Sequence, residues 1–307
     1  MCFATAIVNA QTITQNFGSG ANAFSIDFVE IGNPGNAPDT TGSPNPAGSV
    51  SYTYNIAKYE VSREMIDKAN ADAGLGITLQ DMTNYGGNGV NKPATGISWY
   101  GAAKFVNYLN IISGSTAAYK FDASGNFQLW STSDVGFNPN NPFRNSVARY
   151  FLPSSPEWYK AAYGSPNGTW YDYATGSDVA PTPVSGGTEP NTAVYAQLIE
   201  TGPSDITYAG GLSAYGTMAQ GGNVWEWTET AHDGLNNDVL EYREERGAGW
   251  GDFGSHDLAS FDRDNVFPTD EGFYVIGFRV ASVPEPSALS LLAVGLGGVA
   301  MIRRRRS

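Results

Sequence analysis

Alternating apolar and polar residues predict two strands near the start of the chain. Phe24, Ile26, Phe28 and Ile31 alternate with polar residues over 24–31, and a second alternation runs over 52–59. A period of two places successive side chains on opposite faces of a strand. The intervening stretch, 32–48, holds four prolines and is expected to be a loop.

Two helices are predicted from start signals followed by helical spacing of apolar residues. Ser62 is placed to cap a helix over about 63–73, and Gly74 is placed to end it. Ser98 is placed to cap a second helix, in which the apolar residues fall on one face. That face comprises Trp99, Ala102, Ala103, Val106 and Leu109.

A third helix is predicted from the order Ser155, Pro156, Glu157, which gives a cap, a proline in the first turn and an acid near the positive end of the helix dipole. Trp158, Ala161 and Ala162 are its expected buried face. After Gly164 only loops and short strands are expected.

Composition agrees with a loop-rich packed domain. The 307 residues include 37 Gly and 17 Pro, and 13% are aromatic. Helices early and irregular strands late predict an α+β fold rather than a parallel α/β fold. We expect one domain over residues 11–282.

Charge and cysteine content exclude several classes of function. The formal charge is −13, and removing the four consecutive arginines near the C-terminus leaves −17. Binding to nucleic acid requires clustered basic residues, so it is not expected. Cys2 is the only cysteine, which excludes an internal disulfide and a thiolate metal cluster within this sequence.

The C-terminal residues, 283–307, have the pattern of a sorting and anchoring segment. Pro284, Glu285 and Pro286 precede an apolar stretch over 288–302, and a block of basic residues follows, namely Arg303, Arg304, Arg305 and Arg306. Basic residues keep that end of a membrane helix in the cytoplasm, which places the domain on the other side. The three-part order resembles the PEP-CTERM sorting signal. The resemblance implies a membrane-spanning helix before processing, an exosortase-type processing enzyme, and export to the surface or matrix of a Gram-negative bacterium.

The first ten residues are excluded from the expected fold. They form a short apolar run ending in Val8, Asn9 and Ala10, which has the small-residue spacing of a signal-peptidase site. No basic residue precedes the run. Either the true start lies upstream, which we favour, or residues 1–10 are a weak signal peptide.

Five short motifs occur in a fixed order and give the chain its family resemblance. They are PATGISW at 93–99, LPSSPEW at 152–158, GGNVWEW at 221–227, RGAGW at 246–250 and GFRV at 277–280. Taken singly, each tryptophan in them is expected to be a core residue. Together they resemble the sulfatase-modifying-factor, or formylglycine-generating-enzyme, domain over residues 52–282. The resemblance implies a compact α+β fold of the C-type-lectin-like kind.

Family resemblance does not imply family activity here. The activating members oxidise a substrate cysteine with copper held by two cysteines, and the corresponding positions in this chain are Asp252 and Asp257. Copper(I) prefers soft thiolate ligands, so no copper is expected. We therefore assign no catalytic residues.

A different reaction in the same region remains open. His232 and His256 flank the 246–250 motif, and further acids, Asp262 and Asp264, follow. Such residues can build an iron or zinc site or do acid–base work. The alternative is that acids fall together by chance in an acidic chain.

Calcium is the cofactor that the resemblance implies. In the family's first site an Asn side chain, the next carbonyl, an Asp and a carbonyl two positions later bind the ion, which corresponds here to Asn191, Thr192, Asp205 and Thr207. Asn191 and Asp205 also have an alternative role in ordinary turns.

The second calcium site implied by the resemblance is incomplete. Gly222, Val224 and Glu226 are present, but the first ligand position is Ala219, which has no side-chain oxygen. Glu226 lies between two tryptophans and needs a partner if it is buried. Either a cation or Arg279 would supply that partner.

The expected function is that of an exported, non-catalytic surface protein that binds an envelope or matrix component. A glycan such as exopolysaccharide is the leading candidate, with Trp170, Tyr171 and Tyr173 as candidate aromatic contacts. One alternative is a metal-dependent oxidoreductase-like enzyme with altered ligands. Another is a purely structural matrix component.

Overall fold

The computed structural model describes residues 12–270 and 273–284. These residues form three α-helices: α1 (Arg63–Ala73), α2 (Trp99–Ile112) and α3 (Ser155–Tyr163). Strands β1 to β6 are Thr12–Phe17, Phe24–Ile31, Tyr54–Ala57, Lys120–Phe121, Phe127–Gln128 and Tyr150–Phe151. Strands β7 to β13 are Thr182–Pro183, Thr192–Ala193, Trp225–Ala231, Arg243–Arg246, Asp264–Val266, Ile276–Gly277 and Ala281–Ser282. The predicted mixed fold with few helices and many short strands is confirmed.

The larger sheet joins the two ends of the domain. Its order is β1-β2-β3-β13-β6, so the last strand lies between two much earlier ones. Ala281 pairs with Ile56 on one side and with Phe151 on the other, antiparallel in both cases. The C-terminal end of the domain therefore completes a sheet that the N-terminal end begins.

The smaller sheet has the order β11-β10-β9-β12 and contains residues of three family-like motifs, those at 221–227, 246–250 and 277–280. Strand β9 pairs antiparallel with β10, in a register that shifts between Arg243 and Glu245. Strand β12 pairs parallel with β9, with Ile276 opposite Trp225. This pairing brings the 221–227 and 277–280 motifs together.

Helices α1 and α2 begin where the sequence predicts. The Ser62 side chain accepts a hydrogen bond from the Met65 backbone, and Ser98 accepts one from Gly101. Gly74 ends α1 with a φ of 62°, a left-handed conformation that glycine adopts without steric cost.

Helix α3 begins one residue earlier than predicted. Ser154, not Ser155, is the capping residue, and the Glu157 carboxylate accepts hydrogen bonds from both its backbone N–H and its hydroxyl. The Ser155 hydroxyl donates instead to the buried carboxylate of Glu244. The prediction was wrong because a buried acid from β10, remote in sequence, takes up that hydroxyl.

The predicted strands are confirmed with changed limits. Residues 24–31 form β2 as predicted, and the 52–59 alternation forms the shorter β3. Strand β1 was not predicted because only one end of TITQNF is buried. It is an edge strand, held by pairing with β2.

Four of the motif tryptophans are core residues, as predicted: Trp99, Trp158, Trp227 and Trp250. The Trp99 indole donates to the Thr228 carbonyl and the Trp227 indole donates to the Ile97 carbonyl. These two bonds tie the start of α2 to β9. The remaining motif tryptophan, Trp225, is half-buried.

No helix among the described residues is long and apolar enough to span a membrane. The expected membrane helix at 288–302 lies outside them. So do residues 1–10 and the sorting-signal residues Glu285, Pro286 and Arg303 to Arg306; Pro284 is the last described residue.

Candidate functional site

The loop that follows β10 holds both positions at which the resemblance implies copper ligands. Asp252 is half-buried, and its Oδ2 accepts hydrogen bonds from Trp225 Nε1 at 2.8 Å and from the Gly249 backbone at 2.7 Å. Asp257 Oδ1 lies 2.9 Å from His256 Nε2. Each acid therefore has a protein group close to its carboxylate.

This pair does not fit copper(I). Carboxylates are hard oxygen donors, whereas copper(I) prefers thiolate or thioether sulfur. One oxygen of Asp252 already accepts two hydrogen bonds that fix its orientation. The residues at these two positions therefore do not suit copper(I).

Five acids around these positions form what we call the acid patch: Glu245, Asp252, Asp257, Asp262 and Asp264. Burial raises the pKa of Asp252 and of Asp262. Repulsion from Asp257 and Asp264 raises both further. The acids of the acid patch are therefore near enough to one another for their charges to interact.

Glu245 is the most perturbed member of the acid patch. It is 5% exposed, and its Oε2 has no hydrogen-bond partner among the described residues. Burial, followed by repulsion from Asp264 and Asp252, raises its pKa to about 8. A buried carboxyl without a partner favours its neutral form.

The two histidines do not meet. His256 is exposed and pairs with Asp257. His232 makes its backbone contacts elsewhere, donating to the Tyr242 carbonyl and accepting from Arg263. Among residues 12–270 and 273–284, no group of three or more His, Cys, Asp or Glu is placed to hold a metal ion.

The residues of the first predicted calcium site lie at the start of β8 and in the loop around 205–207. The Asn191 Oδ1 accepts a hydrogen bond from the Thr175 hydroxyl at 2.7 Å, and the Thr192 carbonyl accepts one from Gly211. Asp205 is half-buried, and its backbone carbonyl accepts from Tyr208. Calcium at Asn191, Thr192, Asp205 and Thr207 therefore stays a prediction.

Glu226, from the second predicted calcium site, has a protein cation as its partner. It is fully buried, and its two carboxylate oxygens bind Arg279 Nε at 2.6 Å and Nη2 at 2.5 Å. The Trp158 indole also donates to it at 2.7 Å. The sequence allows either a cation or Arg279 as the partner of Glu226, and the structure contains Arg279. Calcium binding by Gly222, Val224 and Glu226 stays a prediction.

The aromatic residues proposed as ligand contacts are half-buried. Trp170 packs with its ring centre 5.6 Å from that of Tyr159, and Tyr173 packs against a cluster that includes Leu258. Aromatic residues that are more exposed than these lie elsewhere in the domain, among them Tyr208 at 56%. Phe253 is 79% exposed and Phe261 is 55% exposed, and each directly adjoins an acid-patch residue.

Sequence reasoning missed the buried charges under the smaller sheet. Arg144 lies 3.5 Å from Glu157 and 3.3 Å from Glu229. Glu244 pairs with Arg246 at 2.5 Å and with Arg263 at 2.9 Å. Charged residues inside the strand segments WEWTETA and REER were the available signal.

Comparison with protein families finds two matches in the chain. Residues 28–283 match the sulfatase-modifying factor enzyme 1-like domain, and residues 282–306 match the PEP-CTERM protein-sorting motif. The domain match begins earlier than the 52–282 resemblance, so it includes the second half of β2. Among curated protein sequences, none matches this chain significantly.

Several solved structures share the fold. Treponema denticola variable protein 1 aligns with a TM-score of 0.60 at 19% identity, covering 89% of this chain and 99% of that one. CarF aligns with a TM-score of 0.58 at 20% identity, covering 85% and 99%. PvdO from Pseudomonas aeruginosa aligns with a TM-score of 0.52 at 18% identity, covering 88% and 98%. These likenesses confirm the expected C-type-lectin-like fold.

Proposed function

The chain belongs to the sulfatase-modifying factor enzyme 1-like domain family, and from this premise we propose that it is a non-catalytic surface module that binds a glycan of the envelope or matrix. Its sorting motif makes it an exported protein of the bacterial cell envelope or surface and implies processing by an exosortase. The glycan and the absence of catalysis are the proposal.

The observation that carries the proposal is the pairing of exposed aromatic rings with the acid patch. Phe253 follows Asp252 directly, Phe261 precedes Asp262 directly, and both rings are exposed. Contiguous exposed apolar patches rimmed by polar residues mark binding surfaces, and we take these two rings as parts of one such patch. Ionised carboxylates accept hydrogen bonds from sugar hydroxyls, and aromatic faces pack against the apolar faces of sugar rings.

The arrangement of the acids favours a ligand with many hydroxyls over a single chelated ion. The described residues place no three of the acids as a metal-binding group. Carboxylates that are spaced apart can each accept a hydrogen bond from a different hydroxyl group of a sugar. The family's thiol positions are Asp252 and Asp257, which supports a role without copper chemistry.

Affinity electrophoresis of the full chain tests this proposal. The gels contain exopolysaccharide purified from the same bacterium that produces the protein. We expect Phe253→Ala and Phe261→Ala each to weaken retention by roughly 5- to 30-fold, which corresponds to about 1–2 kcal/mol of lost contact. Tyr208→Ala is the matched control, because Tyr208 is 56% exposed and lies outside the acid patch.

Equal retention of all three variants and the unsubstituted chain would contradict the assignment of this surface. If retention is equal and elemental analysis finds stoichiometric copper, iron or zinc, the oxidoreductase-like alternative would replace the binding module. Absence of any retention, with no bound transition metal, would favour the structural matrix component.

A further inference from the structure

One edge of the larger sheet is where the chain leaves the domain, and we call it the exit edge. All neighbouring strands of this sheet are antiparallel, with Ile31 opposite Tyr54 and Ser282 opposite Tyr150. Strands β1, β3 and β6 therefore begin at the exit edge, and β2 and β13 end there. The exit edge comprises residues 12–14, 29–33, 52–55, 147–150 and 282–284.

The chain is held in place up to the point where it leaves. The Val283 backbone donates a hydrogen bond to the Arg149 carbonyl at 3.0 Å, which continues the contact between β13 and the β6 segment. Pro284, the next residue, is the last that the structure describes. The direction of β13 therefore carries the sorting segment outward from the exit edge.

Only a short connection separates β13 from the apolar stretch at 288–302. Residues 283–287 form this connection, and two of them are prolines. Even fully extended, the chain from Ser282 to Ala288 spans at most about 20 Å. Strand β2 alone has eight residues and, at about 3.4 Å per residue, is about 27 Å long. A bilayer that holds the apolar stretch therefore lies closer to the exit edge than the length of the sheet.

The exit edge differs in charge from the chain as a whole. Its charged residues are Glu30 and Arg149, one of each sign, whereas the chain without its terminal arginines has a formal charge of −17. Anionic lipid headgroups repel acidic groups, so a neutral edge approaches them at the least electrostatic cost. The edge also exposes apolar and aromatic side chains, which suit the membrane interface. These are Tyr52, Val147 and Val283.

The acid patch is separated from the exit edge by the last extended segment of the domain. Residues 278–281 run beside 56–61 in the antiparallel direction and lead to the exit edge. Ile276 precedes this segment and pairs with Trp225, whose indole donates to Asp252. A surface that covers the exit edge therefore approaches the domain at the end of this segment that is remote from Asp252.

We propose that the exit edge lies against the lipid headgroups of the membrane while the C-terminal segment anchors the chain, before processing. The short connection brings this edge to the lipid, and its neutral, partly apolar surface fits there. The acid patch then stays open to ligand on the anchored protein. The inference rests on the anchoring role of the sorting segment and is independent of glycan binding.

Fluorescence quenching by nitroxide-labelled headgroups tests the proposal on the full chain, in vesicles of phosphatidylethanolamine and phosphatidylglycerol. A fluorophore is attached at Val147→Cys, on the exit edge, with Cys2→Ser removing the only native cysteine. Ser19→Cys is the matched control, because Ser19 is exposed in the turn between β1 and β2 at the opposite end of the sheet. We expect roughly threefold stronger quenching at position 147, since about 27 Å of β2 separates the two ends and a nitroxide quenches only at close range.

Two outcomes would overturn this orientation. One is equal quenching at the two positions, or stronger quenching at position 19. The other is a full chain that does not sediment with the vesicles, because the anchor itself is then absent. Retention of both labelled chains in exopolysaccharide gels is measured separately, so a failure of glycan binding is distinguished from a failure of the membrane contact.

Discussion

Three buried glutamates differ in the partners of their carboxylate oxygens, and this difference gives them different roles in the fold. Glu226 has both oxygens bound to Arg279, which gives it a full counter-charge. Glu60 has one oxygen bonded and the other without a described partner. Glu245 faces other acids instead of a cation. Burial alone raises a carboxyl pKa, and the available partners decide whether it stays raised.

Glu245→Gln should stabilise the protein at alkaline pH and leave it unchanged at acid pH. The pKa of Glu245 is raised from 4.5 to about 8, so the folded state holds a proton that the unfolded state releases. Its contribution to stability is therefore present below about pH 4.5 and is lost as the pH rises towards 8. A pKa difference of one unit corresponds to about 1.4 kcal/mol, so at pH 9 we expect the variant to be more stable by at least ~1 kcal/mol.

Thermal melting between pH 4.5 and 9, with a chelator and constant ionic strength, measures this difference. Glu30→Gln serves as the control, because Glu30 is exposed. The melting temperatures of Glu245→Gln and the unsubstituted chain should differ more as the pH rises. If their difference is the same at every pH, Glu245 is not the titrating group.

At the scale of elements, the start of α3 shows how a helix end is built from two sources. Ser154 and Glu157 satisfy the local groups of the first turn. Glu157 also receives the Tyr52 hydroxyl and lies 3.5 Å from Arg144, both remote in sequence. The helix is thus capped locally and fixed in place by long-range contacts.

Ser154→Ala should destabilise the protein by about 1 kcal/mol, since a capping side chain is lost. Urea unfolding measures this change in the free energy of unfolding. Ser185→Ala is the control, because Ser185 is an exposed loop residue outside any helix. A loss in Ser154→Ala no larger than in the control would mean that the Glu157 contacts alone hold the helix start.

At the scale of the whole molecule, the position of β13 determines where the domain ends. Ser282 pairs with Asn55 and Tyr150 in the middle of the larger sheet. Arg279, just before this strand, neutralises Glu226. Pro284, the last described residue, follows this strand by two positions.

Deleting 284–307 should release the protein from membranes without changing its melting temperature. Deleting 278–307, which also removes Arg279 and β13, should prevent folding, because it leaves Glu226 buried without a counter-charge. Membrane fractionation and thermal melting of the two truncated chains measure these effects. Continued membrane attachment of the shorter deletion would contradict the role of the sorting segment.

Local sequence determined the three helices, strand β2, the loop-rich α+β class and the sorting segment. Each of these depends on neighbours within a few positions, such as Ser62 before α1 or Gly74 after it. The family resemblance likewise rested on short motifs, and the match over 28–283 confirms it.

Only the tertiary structure decided the pairings between distant residues. The insertion of β13 beside β3, the bond from Trp225 to Asp252 and the union of Glu226 with Arg279 all join separate segments. Strand partners and buried ion pairs depend on which segments come together in space. A periodic pattern along one segment predicts which of its faces is buried, but it does not identify the segment that packs against that face.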